Sequence, residues 1–289
     1  MGEQFDDVIE AGTRGRKRVI GIVVLAVLVA VPVVGLVASD DAPPEMPEPV
    51  PQPIGSLTTV TAEPNILTPK VRVKGRTHLI DVVFPDGRRA TVRYPAELRL
   101  DRLGVRPAQG GWLEGDEPEF RQLVAPYGGE VEVTKGGRPI RSMTGNVTLW
   151  PRQAGGEGGQ VLLFAFGPWR LALYDRPLGL TFEQRMAWAR NLRGRVTGDG
   201  YLVLSARRPL RLAGPGEAAG PQLWFGTSAD RMVVLMPVPS CSRPIREPPV
   251  LAEPVSAAGH ACRDGVYIGV TGPEEFVGKA VKGLRIRLE

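Results

Sequence analysis

Histidine is almost absent from this chain: His78 and His260 are the only two among 289 residues. General acid–base catalysis uses imidazole more often than any other side chain, so that chemistry has few starting points here. There is no Gly-x-Ser-x-Gly elbow, no Ser-x-x-Lys, no His-Glu-x-x-His and no phosphate loop, and none of the reactions those motifs mark is indicated. Cysteine is equally scarce, with only Cys241 and Cys262. That rules out a small scaffold held by many disulfides. Lysine supplies six of the 36 basic residues, a bias that, with abundant Ala, Gly and Pro, suits a GC-rich bacterial genome.

Charge is missing altogether from Val19 to Ala38. As a helix these roughly twenty residues would span about 30 Å, the hydrocarbon thickness of a bilayer. Arg14, Arg16, Lys17 and Arg18 precede the run and Asp40 and Asp41 come after it. Positive flanks stay on the cytoplasmic side, so residues 1–18 are expected to form a cytoplasmic tail, 19–38 a single transmembrane helix, and the remainder an extracytoplasmic part. A cleaved signal peptide is the rival reading, with Val37-Ala38-Ser39 as small residues near a cut. Against cleavage stand the length of the run and the acidic, proline-rich segment beyond it. Six prolines between Pro43 and Pro53, interleaved with Glu45 and Glu48, favour an extended polyproline stalk over residues 39–55.

The remaining 56–289 are enough for a large core. Short alternating or β-branched runs broken by Gly and Pro dominate. Leu79–Phe84 and Ala90–Tyr94 flank Pro85-Asp86-Gly87-Arg88 as a hairpin, and Glu130–Lys135 and Arg138–Met143 flank Gly136-Gly137 in the same way. Helices are predicted at Phe182–Leu192 with Thr181 as N-cap, at Ala96–Leu103 and at Glu274–Val281. The fold class expected is α+β, mostly antiparallel β with a few short helices. A seam near residues 150–160 leaves a division into two subdomains open. Leu79–Leu103 and Gln160–Leu192 share the succession strand, tight turn, strand, helix.

Pro237–Ala258 reads as a long irregular loop with the two cysteines near its ends. A Cys241–Cys262 disulfide is expected, since the compartment permits oxidation. Gly259-His260-Ala261-Cys262-Arg263 resembles the His-Gly-Cys-Arg stretch around the nucleophile of L,D-transpeptidases. That resemblance would make Cys262 a thiolate nucleophile. The five residues depart from the pattern at Ala261, and the family's second upstream histidine has no counterpart beyond His78. A metal site of Cys241, His260 and Cys262 lacks a fourth ligand and matches no standard zinc spacing.

Asp116 with Glu117 and Glu274 with Glu275 are the adjacent carboxylates from which a glycosidase-like pair would be drawn, although adjacency does not give the required separation. Trp112, Trp150, Trp169, Trp188 and Trp224 suit either a ligand groove or the core. The net charge of +5 is spread over Arg residues in most segments and reads as solvated surface. No catalytic residue, cofactor or metal is assigned. The expected function is a membrane-anchored extracytoplasmic binding, sensing or scaffolding module of the cell envelope. Its partners are the lipid bilayer and an envelope or membrane protein, with no nucleic acid; the alternative is an envelope hydrolase or transferase built from dispersed carboxylates.

Overall fold

In the computed structural model the described residues are 65–289, except 116–117, 136, 152–158, 176–178, 218, 228–229, 243–250 and 252–256. The apolar run Val19–Ala38, the proline stalk and the Asp116–Glu117 pair lie outside them. Among the described residues no helix is long and apolar enough to cross a membrane.

The described chain opens with a meander of β1 (Val71–Lys74), β2 (Thr77–Val83) and β3 (Arg89–Pro95). A 3₁₀ turn at Ala96–Leu98 and the one-turn helix α1 (Leu100–Leu103) lead into β4 (Val105–Leu113) and β5 (Glu119–Val124). Helix α2 (Glu130–Thr134) precedes the hairpins of β6 (Arg141–Thr144) with β7 (Val147–Trp150) and of β8 (Val161–Phe166) with β9 (Trp169–Tyr174). Helix α3 (Phe182–Asn191) comes next, then β10 (Leu192–Val196), β11 (Leu202–Ala206) and β12 (Leu210–Leu212). The last third holds β13 (Gln222–Gly226), β14 (Met232–Pro237), β15 (Ala257–Arg263), β16 (Val266–Gly272), helix α4 (Glu274–Gly283) and β17 (Arg285–Leu288). The expected class holds: the domain is β-rich, its strand pairs are antiparallel, and its helices are few and short.

One sheet runs β15-β16-β14-β13-β4-β5-β9-β8-β7-β6, with β12 also pairing β4. A second, β1-β2-β3-β17, packs across one half of it, and β10 pairs with β11. The first core lies between the two larger sheets. Ile80, Val82, Val92 and Ile286 from the small sheet meet Leu235 and Ile268 of the large one, and α4 closes the end with Phe276 and Ala280. A second core gathers Leu162, Phe164, Leu171 and Leu173 of the large sheet beneath Trp188 of α3 and Leu202 and Leu204 of β11. Full burial of one such side chain contributes about 1.5–3 kcal/mol.

Several local expectations are met for their stated reasons. Pro85-Asp86-Gly87-Arg88 turns β2 into β3, with Gly87 at φ +89 and the Arg88 amide donating to Asp86. Thr181 caps α3: its hydroxyl accepts from the Gln184 amide while the Gln184 side chain accepts from the Thr181 amide, a full capping box. Trp188 and Ala189 form its buried face, whereas Phe182 is exposed with the Arg141 guanidinium 5.0 Å from its ring centre.

Two expectations are corrected. Glu130–Thr134 is a helix, not the first arm of a hairpin. The Glu132 carboxylate accepts from the Gly128 amide, and Lys135 at φ +48 returns its amide to Val131; local side-chain and capping bonds override the alternation of Val131 and Val133. Ala96–Leu103 is not one helix, because Arg99 adopts φ +48 between the 3₁₀ turn and α1. Strand, turn, strand, helix does recur at β8-β9-α3. Its aromatics are not equivalent, however: Tyr94 is fully buried on Asp101, while Tyr174 is exposed.

Candidate functional site

Cys241 and Cys262 form a disulfide with Cα atoms 5.4 Å apart, inside the usual range of Cα separations for a bridge. It ties the end of β14 and the loop beyond it to β15. A bonded sulfur cannot act as a thiolate, so the stretch around Cys262 carries a cross-link where the transpeptidase resemblance implies a nucleophile. His260 is exposed on β15 and stacks on Tyr267 at 6.0 Å between ring centres. His78 is half-buried on β2, edge-on to Tyr94 at 5.6 Å. The two histidines stand on different sheets. Among the described residues no three His, Cys, Asp or Glu side chains gather as a metal site would need.

Four of the five tryptophans, Trp150, Trp169, Trp188 and Trp224, are buried and belong to the core. Glu274 and Glu275 open α4, where negative charge favours the helix N-terminus. Glu275 and Glu97 each place a carboxylate oxygen 2.8 Å from the Lys279 ammonium. Those bonds hold both carboxyls below their ordinary range and raise the amine. Two buried charge clusters are structural. Asp175 accepts from the Leu180 amide and from Arg185 at 2.5 Å, with Arg121 at 3.8 Å, which joins the end of β9 to β5 and α3. Arg106 on β4 lies 4.9 Å from the Trp224 ring centre and 5.9 Å from that of Tyr127, and donates to the Ala125 carbonyl at 2.7 Å. Burial pulls its guanidinium down to about 10.

Six of the chain's basic residues share one face of the small sheet. Directly paired residues in antiparallel strands share a face, so the register of the small sheet sorts its side chains. Arg72, Leu79, Arg93 and Arg285 form one row across β1, β2, β3 and β17. Asp81, Thr91 and Arg287 form the next, Lys74 pairs with Thr77, and Arg89 pairs with Val83. The opposite face holds Ile80, Val92, Tyr94 and Ile286 and is core. The outer face of four short strands therefore carries six cations and one acid, and Glu289, the next residue in the β17 alternation, donates its amide to the Arg89 carbonyl at its edge.

Among the described residues, Arg72 is the one cation of this face that pairs with an acid, meeting Asp81 at 2.6 Å while Thr91 also donates to that carboxylate. Arg285 donates to the Lys282 and Leu284 carbonyls at the end of α4. Lys74, Arg89, Arg93 and Arg287 make no ion pair among the described residues. Sequence reading missed this array because its members are separated by up to about two hundred positions; alternation in each strand was the usable signal, but the pairing of β17 with β3 was not.

At one end the face runs into a concavity of about 500 Å³, a volume in the range of ligand pockets. Its charged lining is balanced, Lys70, Arg72 and Arg89 against Asp81, Asp199 and Glu289, with Tyr201, Leu67 and Val83 beside them. The turn that carries Asp199 is held there by the Tyr201 hydroxyl, which donates to the Asp81 carbonyl at 2.8 Å. No protein-family profile, no curated protein and no solved structure matches this chain.

Proposed function

We propose that this chain is a single-pass membrane protein whose β-rich domain stands outside the cytoplasmic membrane on a proline stalk. There it acts as a non-catalytic binding or scaffolding module of the cell envelope. The observation that carries the reading is the uncharged run Val19–Ala38 with four cations immediately before it and acids immediately after, the pattern of an anchor with its N-terminus inside. The Cys241–Cys262 disulfide supports it independently, because such bonds persist in oxidising compartments and are rare in the cytosol.

The test has two arms. Alkaline phosphatase fused after Glu289 is active and a fluorescent protein fused there is dark if the domain is outside; the reverse pattern overturns the topology. Crosslinking in intact cells then captures an envelope or membrane protein with the full chain but not with a chain lacking the domain. If both give only background, the scaffolding role fails.

A further inference from the structure

We propose that the outer face of the sheet β1-β2-β3-β17 is a binding surface for a linear polyanion, a polymer bearing phosphate or carboxylate groups at regular spacing. Arg93 and Arg285 are directly opposite each other on neighbouring strands, and like charges in that position are destabilising. Asp81, the one acid among them, is taken by Arg72 and Thr91. A merely solvated surface intersperses its signs; this one sets six cations against Asp81 on four strands and leaves four of them without an ion pair among the described residues.

The residue type fits the ligand. Five of the six cations are Arg, whose planar fork meets phosphate and carboxylate oxygens with two parallel hydrogen bonds and is less hydrated than an ammonium. Rows about 4.8 Å apart across strands and about 6.8 Å apart for alternate residues along a strand give a repeating grid suited to a repeating charge.

A polymer is favoured over a bilayer surface on two grounds. Membrane-surface binders bury apolar side chains into the headgroup boundary, whereas the apolar residues on this face, Leu79 and Val83, are half-buried and buried. Val73, 68% exposed, belongs to the opposite side of β1 by its pairing with His78. Finally, an extended stalk of this length at about 3.1 Å per residue would hold the domain tens of ångströms off the membrane. The proposal rests on the extracytoplasmic reading only for which polyanion the cell presents, and its test in vitro is independent of topology.

The full chain is reconstituted in uncharged phosphatidylcholine nanodiscs and titrated separately with long-chain inorganic polyphosphate, with polyglutamate and with vesicles containing anionic phosphatidylglycerol. Saturable binding of at least one polymer at low salt is expected, falling steeply as salt shortens the screening length. R93Q combined with R287Q weakens that binding on the order of tenfold or more. R138Q combined with R190Q, which removes the same charge from exposed sites off the face, changes it less than about twofold. Melting temperature confirms that both double variants are folded. The polymer that binds tells phosphate from carboxylate recognition. The proposal is overturned if neither polymer binds, if the off-face variant loses as much as the on-face one, or if vesicles are bound as tightly as the better polymer.

Discussion

Removing one cation from the outer face of the small sheet makes the fold more stable. Arg93 is the position to change, because it is exposed, makes no ion pair among the described residues and sits directly opposite Arg285. Arg285 itself is unsuitable, since its guanidinium donates to two carbonyls at the end of α4. With directly opposite Cβ atoms about 5 Å apart, flexible stems let the guanidinium groups splay to about 8 Å. Two unit charges at that distance in water repel by about 0.5 kcal/mol, within the measured range for cross-strand pairs. R93Q is therefore expected to stabilise by about 0.5 kcal/mol at low salt, roughly 1–2 °C in melting temperature for a domain of this size. The gain vanishes near 1 M salt, where the screening length is about 3 Å. Thermal melting of the full chain and of R93Q in a neutral detergent, at low and high salt, measures both. A lower melting temperature for R93Q at low salt, or a gain that does not depend on salt, would refute the reasoning.

Three other outcomes rest on the same physical chemistry. Replacing both cysteines with Ser frees a loop closed across 21 positions and lowers stability by about 3 kcal/mol on chain-entropy grounds, read as a drop of roughly 6–12 °C in melting temperature; an unchanged melting temperature counts against the bridge as a stabilising element. Asp175→Ala leaves Arg185 and the buried Arg121 without this carboxylate and costs about 3–5 kcal/mol, whereas Glu114→Ala, which loses only partly exposed pairs, costs less than about 1 kcal/mol; equal losses would contradict the assignment. The Tyr94 and Tyr201 phenols are raised, Tyr94 by burial and then by its bond to Asp101, and Tyr201 by burial and then by Asp199 and Asp81. Their contribution to stability is complete below the unfolded phenol value near 10 and is lost as pH rises above it. Absorbance at alkaline pH should show both ionising only together with unfolding, and early titration of all five tyrosines in the folded state would disprove this.

Signals confined to neighbouring residues were readable in the sequence. The turn at Asp86-Gly87, the capping box of Thr181 and Gln184, and the pairing of two isolated cysteines each depend on chemistry within a short span or on elimination. Strand β4 was missed because it reads Val-Arg-Pro-Ala-Gln-Gly-Gly-Trp-Leu, and its two glycines look like a break. They are close approaches: a Cβ on Gly110 would fall 2.6 Å from the Phe120 ring and one on Gly111 2.8 Å from Trp188, the use of strand glycine where another group packs against the backbone. Strand β10, with Gly194 beneath the ring of Phe166, escaped for the same reason. Helix α2 was misread because five residues are too few for a period to decide between strand and helix. The cationic face was illegible for a different reason. Its charge pattern exists only once β17, at the end of the chain, pairs with β3, and long-range register is not written in local composition.

The central claim, that the domain works outside the membrane, is tested most directly by the state of its two cysteines in living cells. Intact cells are quenched in acid, and the full chain is reacted with a maleimide-linked polymer before and after reduction, alongside a variant lacking residues 19–38. The account predicts that the full chain gains no mass before reduction and two polymer chains after it, while the variant gains two without reduction. Labelling of both thiols in the unreduced full chain would contradict it.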